Sequence, residues 1–274
     1  TNFSRDHLDY HQTEDNYLNS KLRLFKELIC EDGFAIVYSG TPEAAIINSI
    51  AKQRKLNFVS YGAASSDISI TKHSLTREGW FLTIKAFGRT YTALLKIAGE
   101  FQINNVLAAL ALVHSTGTPL KDIIVKIEAL TEVPGRMQHA GNSLDGGAVY
   151  VDYAHTPDAL KNALTSLKRY VQNKLILVFG CGGNRDPGKR PEMGAIACQF
   201  ADRVIITDDN PRTEDASAIR SSIIKECVNA CEIGDRRIAI EKAIAELEAG
   251  DVLLIAGKGH EKGQIIGNEV FPFD

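Results

Sequence analysis

LILVFGCGGNRD, residues 175–186, joins five apolar residues to a loop with three glycines and two side chains of opposite charge. The run Leu175–Phe179 is apolar at every position, so the strand that it predicts must be buried on both faces. Such strands are typical of parallel sheets that lie between two layers of helices. The stretch therefore predicts an open α/β sheet, with the glycine loop at the carboxyl end of one strand.

Three more short runs share this apolar character: Ala148–Asp152, Val204–Thr207 and Val252–Ala256. Between the runs, apolar residues recur with helical spacing. The helical segments are Asp158–Val171, Pro191–Ala201, Asp215–Ala230 and Arg237–Ala249. This alternation predicts a parallel sheet that is covered by helices on both faces.

A polar or glycine-rich cluster follows each predicted strand. The four clusters are Asp152–His155, Gly180–Asp186, Asp208–Arg212 and Gly257–Glu261. Ligands of open α/β sheets bind outside the carboxyl ends of the strands. We therefore expect the four clusters to line one crevice, and their convergence is stronger evidence for a site than any single cluster.

The glycine cluster has two interpretations. A few glycines after a strand are also what an ordinary tight turn requires. However, three cations lie at the mouth of this loop: Arg185, Lys189 and Arg190. Because guanidinium groups bind carboxylates through two parallel hydrogen bonds, these cations favour an anionic ligand.

The cluster NPR, residues 210–212, also has a structural interpretation. Thr213 would cap the following helix, and Arg212 would form an ion pair with Asp208 or Asp209. Taken alone, the cluster favours this capped turn over a binding site. Similarly, Thr156 and a proline at the first helical position predict a helix start, but that role leaves the acidic residue at the preceding strand end unexplained.

The first 133 residues have a mixed pattern. Predicted strands are Phe34–Tyr38, Asn57–Tyr61, Gly79–Phe87 and Thr90–Leu95, and predicted helices are Asn16–Glu27, Pro42–Lys52, Asn104–Thr116 and Leu120–Leu130. The last two strands flank Gly88-Arg89, which is a hairpin signal. The pattern changes near Val133–Arg136, so we expect one domain over residues 1–133 and another over residues 134–274.

Composition excludes several classes of protein. The 274 residues include 31 basic and 34 acidic side chains, a balance that does not suggest a nucleic-acid-binding protein. No apolar run approaches the length that spans a bilayer, and the polar start is not a signal peptide. Five cysteines without paired zinc-ligand spacing are most simply reduced thiols of a cytosolic protein. The residues themselves thus indicate an α/β enzyme that uses a nucleotide or an amino acid.

Six motifs extend this interpretation: TNFSRDHLDYH, VPGRMQ, VDYAHTPDAL, VFGCGGNRDPGKRPEMG, DDNPRT and AGKGHE. In this order and at these separations they resemble the Mur ligase family, and the resemblance covers nearly the whole chain. It implies an α/β fold: the remainder of a central mixed-sheet ATPase domain, followed by a Rossmann-like parallel-sheet carboxyl-terminal domain. It also implies a fragment that lacks the UDP-binding domain and the P-loop, and that is inactive alone.

The resemblance implies an activity as well. ATP and Mg²⁺ would serve to phosphorylate the carboxylate of UDP-MurNAc-L-Ala-D-Glu, and an amine would then attack the acyl phosphate to form an amide. The motifs are most similar to those of family members that add meso-diaminopimelate in peptidoglycan precursor synthesis. Such an enzyme would be a cytoplasmic monomer with small-molecule substrates and no nucleic-acid or membrane partner.

Site residues follow by motif match. His7 resembles a magnesium ligand, and Lys21 resembles a lysine that becomes carbamylated and holds a second magnesium. Thr1, Ser4 and Arg5 would meet the UDP-linked substrate; Asn105, Arg136, Asp152, Tyr153 and His155 would bind the nucleotide; and Arg185, Asp209, Asn210, Pro211, Arg212, Gly257 and Glu261 would bind the incoming amino acid. Gln102 stands where the family usually has another asparagine. The apolar residues around Lys21 favour its partial burial, although a lysine in such a position usually extends its charge to water.

Three alternatives were weighed, and the third of them is disfavoured by the motifs NPR at residues 210–212 and GKGHE at residues 257–261. The chain could be an amino-acid-binding module without catalysis, a homologue that adds lysine, or an enzyme of the folylpolyglutamate type. Lysine-adding relatives lack the arginine that matches Arg212, since lysine has no distal carboxylate. This residue therefore favours diaminopimelate.

Overall fold

The run Leu175–Phe179 forms a strand that is buried along its whole length, inside a six-stranded sheet of the computed structural model, which describes residues 1–274. The strands of this sheet are β6 (Gln138–Asn142), β7 (Ala148–Asp152), β8 (Leu175–Phe179), β9 (Arg203–Ile206), β10 (Cys231–Glu232) and β11 (Val252–Ala256). Their order is β10-β9-β8-β11-β7-β6, and only the β6–β7 pair is antiparallel. The prediction of a parallel sheet is confirmed, with an antiparallel edge strand that the apolar pattern did not reveal.

Helices cover both faces of this sheet. They are α6 (Pro157–Leu167), α7 (Lys189–Phe200), α8 (Ala216–Ile224) and α9 (Arg236–Ala245). Helices α6, α7 and α8 pack side by side on one face, whereas α9 packs against Ile176, Val178 and Leu253 on the other. Because side chains alternate along a strand, each apolar residue of β8 is buried against one layer or the other. The α/β fold class is thus confirmed.

The first part of the chain forms a separate five-stranded sheet of order β1-β2-β3-β4-β5. Its strands are β1 (Phe34–Tyr38), β2 (Asn57–Gly62), β3 (Ile68–Thr76), β4 (Gly79–Ala86) and β5 (Arg89–Leu95). The first three are parallel and the last three antiparallel, which makes a mixed sheet. The predicted hairpin at Gly88 is confirmed as the β4–β5 connection.

The helices of this part are α1 (Leu8–His11), α2 (Glu14–Arg23), α3 (Ala44–Gln53), α4 (Phe101–His114) and α5 (Leu120–Ile124). A π-helical turn, Leu24–Leu28, continues α2, and a 3₁₀ turn, Ile127–Ala129, follows α5. The main core packs Leu107 and Leu110 of α4 against Trp80 and Leu82 of β4. No helix combines the length and the apolar character that crossing a membrane requires.

By contacts, the chain divides into two units. One comprises residues 1–4 and 11–131, and the other comprises residues 5–10 and 132–274. Arg5–Tyr10 therefore belongs with the second unit, although the sequence assigned it to the first domain. The expected domain boundary between residues 133 and 134 stays a prediction about family domains.

Candidate functional site

The four strand-end clusters of the second unit line one cavity of about 210 Å³. The lining residues are Asp6, His7, Tyr153, His155, Gly180, Cys181, Gly182, Arg185, Lys189, Asp209, Asn210, Arg212, Gly257 and Glu261. Tyr153 follows β7, Gly180 follows β8, Asp209 follows β9 and Gly257 follows β11. The parallel strands thus bring side chains that lie up to about 100 residues apart in the chain to one edge of the sheet. The expected crevice is confirmed.

A carboxyl-terminal hairpin holds the turn that follows β9. This hairpin consists of β12 (Gly263–Ile266) and β13 (Glu269–Pro272). The Gln264 amide donates to the carbonyl oxygen of Asp209 at 2.7 Å, and the Arg212 N–H donates to the carbonyl oxygen of Ile265 at 3.1 Å. The turn is therefore fastened along its backbone, which leaves its side chains to face the cavity.

Asn210 is the most heavily bonded side chain of this turn. Its Oδ1 accepts hydrogen bonds from Lys258 Nζ and from the N–H of Ile265, both at 2.9 Å. Its Nδ2 donates to Glu261 Oε2 at 3.1 Å. Since both lone pairs of the oxygen are used, only the remaining N–H is available to a ligand. Asn210 thus orients Glu261 and joins it to the buried Lys258.

Arg212 lies in the left-handed backbone region, with φ +54°. This conformation is strained for a residue with a side chain, and the hairpin pairing of Arg212 with Ile266 maintains it. Its Nη1 donates to the carbonyl oxygens of Gly183 at 2.8 Å and Asn210 at 3.3 Å. The predicted ion pair of Arg212 with Asp208 or Asp209 is wrong, because the guanidinium folds over the glycine loop instead.

The other half of the capped-turn interpretation is also wrong. Asp215, not Thr213, caps α8, and its carboxylate accepts from the N–H of Ser217. Thr213 instead donates its hydroxyl to Asn184 of the glycine loop. Asp208 forms its ion pair with Arg220 of α8. The turn after β9 is thus tied to the loop after β8 and is more than a local cap.

Two guanidinium groups face the cavity without a strong carboxylate partner between them. Burial lowers the pKa of Arg212, and the charge of Arg185 lowers it further. Arg185 donates to the carbonyl oxygen of Asn184, and its nearest carboxylate oxygen, on Asp9, is 3.9 Å away. Arginine keeps its charge throughout the physiological range. The pair therefore creates a local excess of positive charge that an anion would relieve.

Glu261 provides the opposite charge in the same cavity. Besides Asn210, it contacts Lys258 Nζ at 3.4 Å and accepts from the Tyr153 hydroxyl at 3.4 Å. Burial raises the pKa of Tyr153, and the neighbouring Glu261 adds to this effect. The Arg136 guanidinium stacks over the Tyr153 ring, 4.3 Å from its centroid. The cavity therefore offers both cations and a carboxylate to a ligand.

Asp152 is buried, and its carboxylate accepts hydrogen bonds from the protein backbone. Oδ2 accepts from the N–H of Met137 at 2.6 Å, and Oδ1 accepts from the N–H of Ala154 at 2.7 Å. Burial raises the pKa of this carboxyl, although both hydrogen bonds oppose the shift. The predicted helix start is confirmed nearby, since Thr156 caps α6. Asp152 thus holds the β6–β7 segment, and its expected role in binding the nucleotide stays a prediction.

The segment Arg5–Tyr10 supplies further charges to this unit. Arg5 forms a two-pronged contact with Asp186, through Nε at 2.8 Å and Nη2 at 3.1 Å. This contact lowers the pKa of the Asp186 carboxyl. Asp6 lies 3.5 Å from His155 Nε2. Burial raises the pKa of Asp6, but the hydrogen bond and the charge of His155 outweigh burial and leave it at about 2.

The remaining predicted site residues lie in the first unit. Thr1 is exposed and Ser4 half-buried, and the side chain of Asn105 donates to Gln102 Oε1 at 2.8 Å along α4. The expected burial of Lys21 is wrong: this residue is exposed at the end of α2, with its ammonium 4.8 Å from the centroid of the Tyr17 ring. Lys21 lies one helical turn after Tyr17, so its aliphatic stem packs on the aromatic ring while the ammonium stays in water.

Sequence reasoning named Lys189 among the cations of the glycine loop without predicting its burial, and it missed Lys258 as a residue of the site. Lys258 is 4% exposed and Lys189 is 5% exposed, yet both line or support the cavity. Buried lysines are rare, so only the pattern of buried neighbours identifies them. Lys258 had one available signal, because it lies between two glycines directly after a strand that is buried on both faces.

Two protein-family models together match most of the chain. The Mur ligase middle domain matches residues 1–113, and the Mur ligase glutamate ligase domain matches residues 135–259. Among curated proteins, the UDP-N-acetylmuramoyl-L-alanyl-D-glutamate–2,6-diaminopimelate ligases of Zymomonas mobilis and Bradyrhizobium diazoefficiens are 45% and 47% identical. Each match covers 100% of this chain, and the chain spans 57% of each relative.

Solved structures give the same result. One structure of a UDP-N-acetylmuramoyl-L-alanyl-D-glutamate–2,6-diaminopimelate ligase is 35% identical, with a TM-score of 0.59 over 100% of this chain and 57% of its own. A Mycobacterium tuberculosis folylpolyglutamate synthase complexed with ADP and AMPPCP has a TM-score of 0.76 over 93% of this chain and 60% of its own. At 19% identity, the latter likeness shows the fold alone. With its middle-domain and carboxyl-terminal-domain matches, the chain belongs to the Mur ligase family.

Proposed function

We propose that this chain is part of an ATP-dependent ligase that joins meso-diaminopimelate to UDP-MurNAc-L-Ala-D-Glu. The observation that carries the proposal is the pair Arg185 and Arg212 in one cavity with Glu261. The relatives in Zymomonas and Bradyrhizobium support it, because they are named for this reaction. The expected cytoplasmic location and the monomeric state stay predictions.

The cavity suits a ligand that carries both charges at its distal end. Arg212 and Arg185 would bind the distal carboxylate, and each guanidinium has several N–H donors for it. Glu261 and the carbonyl oxygen of Gly257 would accept hydrogen bonds from the distal ammonium. Asn210 and Lys258 hold Glu261 in place for this purpose. Lysine lacks the distal carboxylate and would leave the two guanidinium groups unpaired.

The reaction consists of two balanced steps. The D-glutamyl carboxylate of the UDP-linked substrate takes the terminal phosphoryl group of ATP, which leaves as ADP. The neutral amine of diaminopimelate then attacks the acyl carbon, phosphate departs, and the nitrogen loses a proton as the amide forms. The contribution of this chain is to hold the amine at the acyl carbon, because fixed orientation lowers the entropic part of the barrier.

Nucleotide and metal binding belong to the same proposal. Asn105, Arg136, Tyr153 and His155 would contact ATP, and Thr1, Ser4 and Arg5 would contact the UDP-linked substrate. No group of three or more acidic, histidine or cysteine side chains is arranged as a metal site. Mg²⁺ is usually held by one or two carboxylates together with phosphates and water. A carbamylated Lys21, which is an anion with oxygen donors, fits this pattern, whereas the proposed ligand role of His7 depends on its motif match alone. When bound, Mg²⁺ neutralises charge on the phosphate oxygens.

The test uses the full-length gene product that contains this chain. With ATP, Mg²⁺ and UDP-MurNAc-L-Ala-D-Glu present, we expect ADP to form when meso-diaminopimelate is added and far less when L-lysine replaces it. ADP release is followed by a coupled assay, and the tripeptide product by mass spectrometry. A preference for lysine would identify a lysine-adding homologue. Binding of diaminopimelate without ADP formation would instead indicate a module that does not catalyse.

A second prediction concerns Lys258. Replacing it with Met removes one donor to Asn210 Oδ1 and the cation beside Glu261, so the Glu261 carboxylate loses its orientation. We expect the KM for diaminopimelate to rise roughly tenfold, since a hydrogen bond to a charged group contributes about 1.5–3 kcal/mol. The KM for ATP should stay unchanged. Lys262→Met is the matched control, because Lys262 is exposed in the same loop. Equal KM values in both variants would contradict the role of Lys258.

A further inference from the structure

Arg236 is a buried arginine at a place where a positive charge is unfavourable. It is 2% exposed and is the first residue of α9, where the partial positive charge of the helix N-terminus opposes a cation. Its hydrogen bonds go to backbone carbonyls and not to a carboxylate, and its Nε has no hydrogen-bond partner. Burying a charge is unfavourable unless hydrogen bonds compensate for the lost hydration. The two bonds that Arg236 does form are therefore the key to its role.

The guanidinium of Arg236 joins the ends of two strands that are not neighbours in the sheet. Nη2 donates to the carbonyl oxygen of Ala256 at 2.8 Å, and Nη1 donates to the carbonyl oxygen of Asp208 at 3.4 Å. Ala256 is the last residue of β11, and Asp208 lies two residues after the end of β9. Strand β8 lies between β9 and β11, so no ladder hydrogen bond connects these two strands. Arg236 thus provides a link that the sheet itself does not.

The two carbonyls lie at the start of the two turns that carry the proposed ligand-binding side chains. We call these the β9 turn (Asp208–Arg212) and the β11 turn (Gly257–Glu261). Asp209 and Gly257, which directly follow the two bonded carbonyls, both line the cavity. The turns are closely packed there, because a Cβ atom on Gly257 would lie 2.9 Å from Asp209 Oδ2. The bridge therefore acts where the spacing of the two turns is set.

We propose that Arg236 is a positioning residue that fixes the distance between the β9 turn and the β11 turn. The proposal rests on the proposed function, in which Arg212 on one turn and Glu261 on the other bind the two charges at the distal end of diaminopimelate. The hydrogen bond from Asn210 Nδ2 to Glu261 Oε2, at 3.1 Å, crosses between the same turns. If the turns separate, this bond breaks, and the cation and the carboxylate no longer match the spacing of the charges on the ligand. Arg236 does not line the cavity, so it acts through these residues.

The experiment compares Arg236→Met and Arg236→Lys with wild type in the full-length gene product. Arg236→Met keeps an unbranched stem in the buried position and removes both donor nitrogens. The KM for diaminopimelate should rise roughly tenfold, as expected for lost hydrogen bonds from a charged group, with the KM for ATP unchanged. Arg236→Lys keeps the charge but has a single donor nitrogen in place of the guanidinium fork, so it should raise this KM as well. Arg237→Met is the matched control, because Arg237 is the next residue of the same helix and is exposed.

A double variant tests whether Arg236 acts through the β9 turn. Substitutions that disturb the same contact network have effects that do not add in free energy. We therefore expect Arg236→Met to lower kcat/KM for diaminopimelate roughly tenfold in wild type and far less in a protein that already carries Arg212→Ala. The same tenfold loss in both backgrounds would show that Arg236 acts independently of Arg212, and would overturn the proposal.

The other outcomes also decide. An equal rise of the KM for ATP and for diaminopimelate would show a general structural role and overturn the proposal. Wild-type kinetics in Arg236→Lys would show that the charge matters and the bridge does not, which would also overturn it; both results leave the proposed function intact. A wild-type protein that forms no ADP with diaminopimelate would overturn the proposed function and this proposal together. If melting temperatures show that Arg236→Met fails to fold, Arg236→Lys decides.

Discussion

Replacing Arg212 with Ala is expected to raise the KM for meso-diaminopimelate by two to three orders of magnitude, roughly 100- to 1,000-fold. Arg212 is partly buried, and it holds one wall of the cavity beside Arg185. Truncating one partner of a buried, hydrogen-bonded charge pair costs about 2–5 kcal/mol, chiefly because the other charge is left unpaired. Steady-state kinetics of the full-length gene product, with each substrate varied in turn, measure this effect.

The main test of this prediction is whether the loss of affinity is confined to diaminopimelate. The KM for ATP should change little, and use of L-lysine should stay at its wild-type level, because lysine has no distal carboxylate for Arg212 to bind. Arg237→Ala is a matched control, since Arg237 is an exposed arginine of the same unit. If Arg212→Ala impairs ATP and diaminopimelate equally, Arg212 has a structural role and does not select the substrate.

The second large effect is expected for Gly183→Ala. The N–H of Gly183 donates to the carbonyl oxygen of Asn210 at 2.9 Å, and its own carbonyl accepts from Arg212. A Cβ atom at this position would lie 2.0 Å from the carbonyl oxygen of Pro211. The loop after β8 and the turn after β9 would have to separate. We expect the KM for diaminopimelate to rise roughly 100-fold, and the free energy of unfolding to fall by about 1–3 kcal/mol.

Gly88→Ala is the control variant, because it shows the effect of replacing a glycine where no clash occurs. Gly88 has φ +80° in the β4–β5 turn, and nothing lies within 4 Å of an added Cβ. Its replacement should lower the free energy of unfolding by about 1 kcal/mol, through backbone strain alone, and should leave the KM values unchanged. Chemical denaturation and kinetics on both variants are the measurements. A normal KM for diaminopimelate in Gly183→Ala would show that contact between the two loops does not shape the site.

Local sequence signals predicted most of the sheet in the second unit. Three of its strands, Ala148–Asp152, Leu175–Phe179 and Val252–Ala256, have the predicted bounds. Burial on both faces requires uninterrupted apolar residues, and this requirement is visible in a single strand. Strand β3 was missed because its outer half is exposed, and it pairs with β4 through contacts that its own residues do not encode.

The β12–β13 hairpin was missed for a different reason. A Gly-Asn pair at residues 267–268 is a turn signal for a hairpin, and Gly267 adopts φ +60°. The strands on either side are short and largely exposed, so apolar periodicity did not mark them. This omission mattered for the site, because the hairpin backbone fastens the turn that carries Asn210 and Arg212.

The sequence by itself determined the α/β class, the four strand-end clusters and the family, since each depends on residues that are close together in the chain. Only the tertiary structure decided which charges are free for a ligand. Arg190 and Lys189 are neighbours of like charge, yet Glu214, 24 residues further along the chain, binds the first and leaves the second open to the cavity. Pairing between charges depends on distances across the fold, and no local pattern of residues contains those distances.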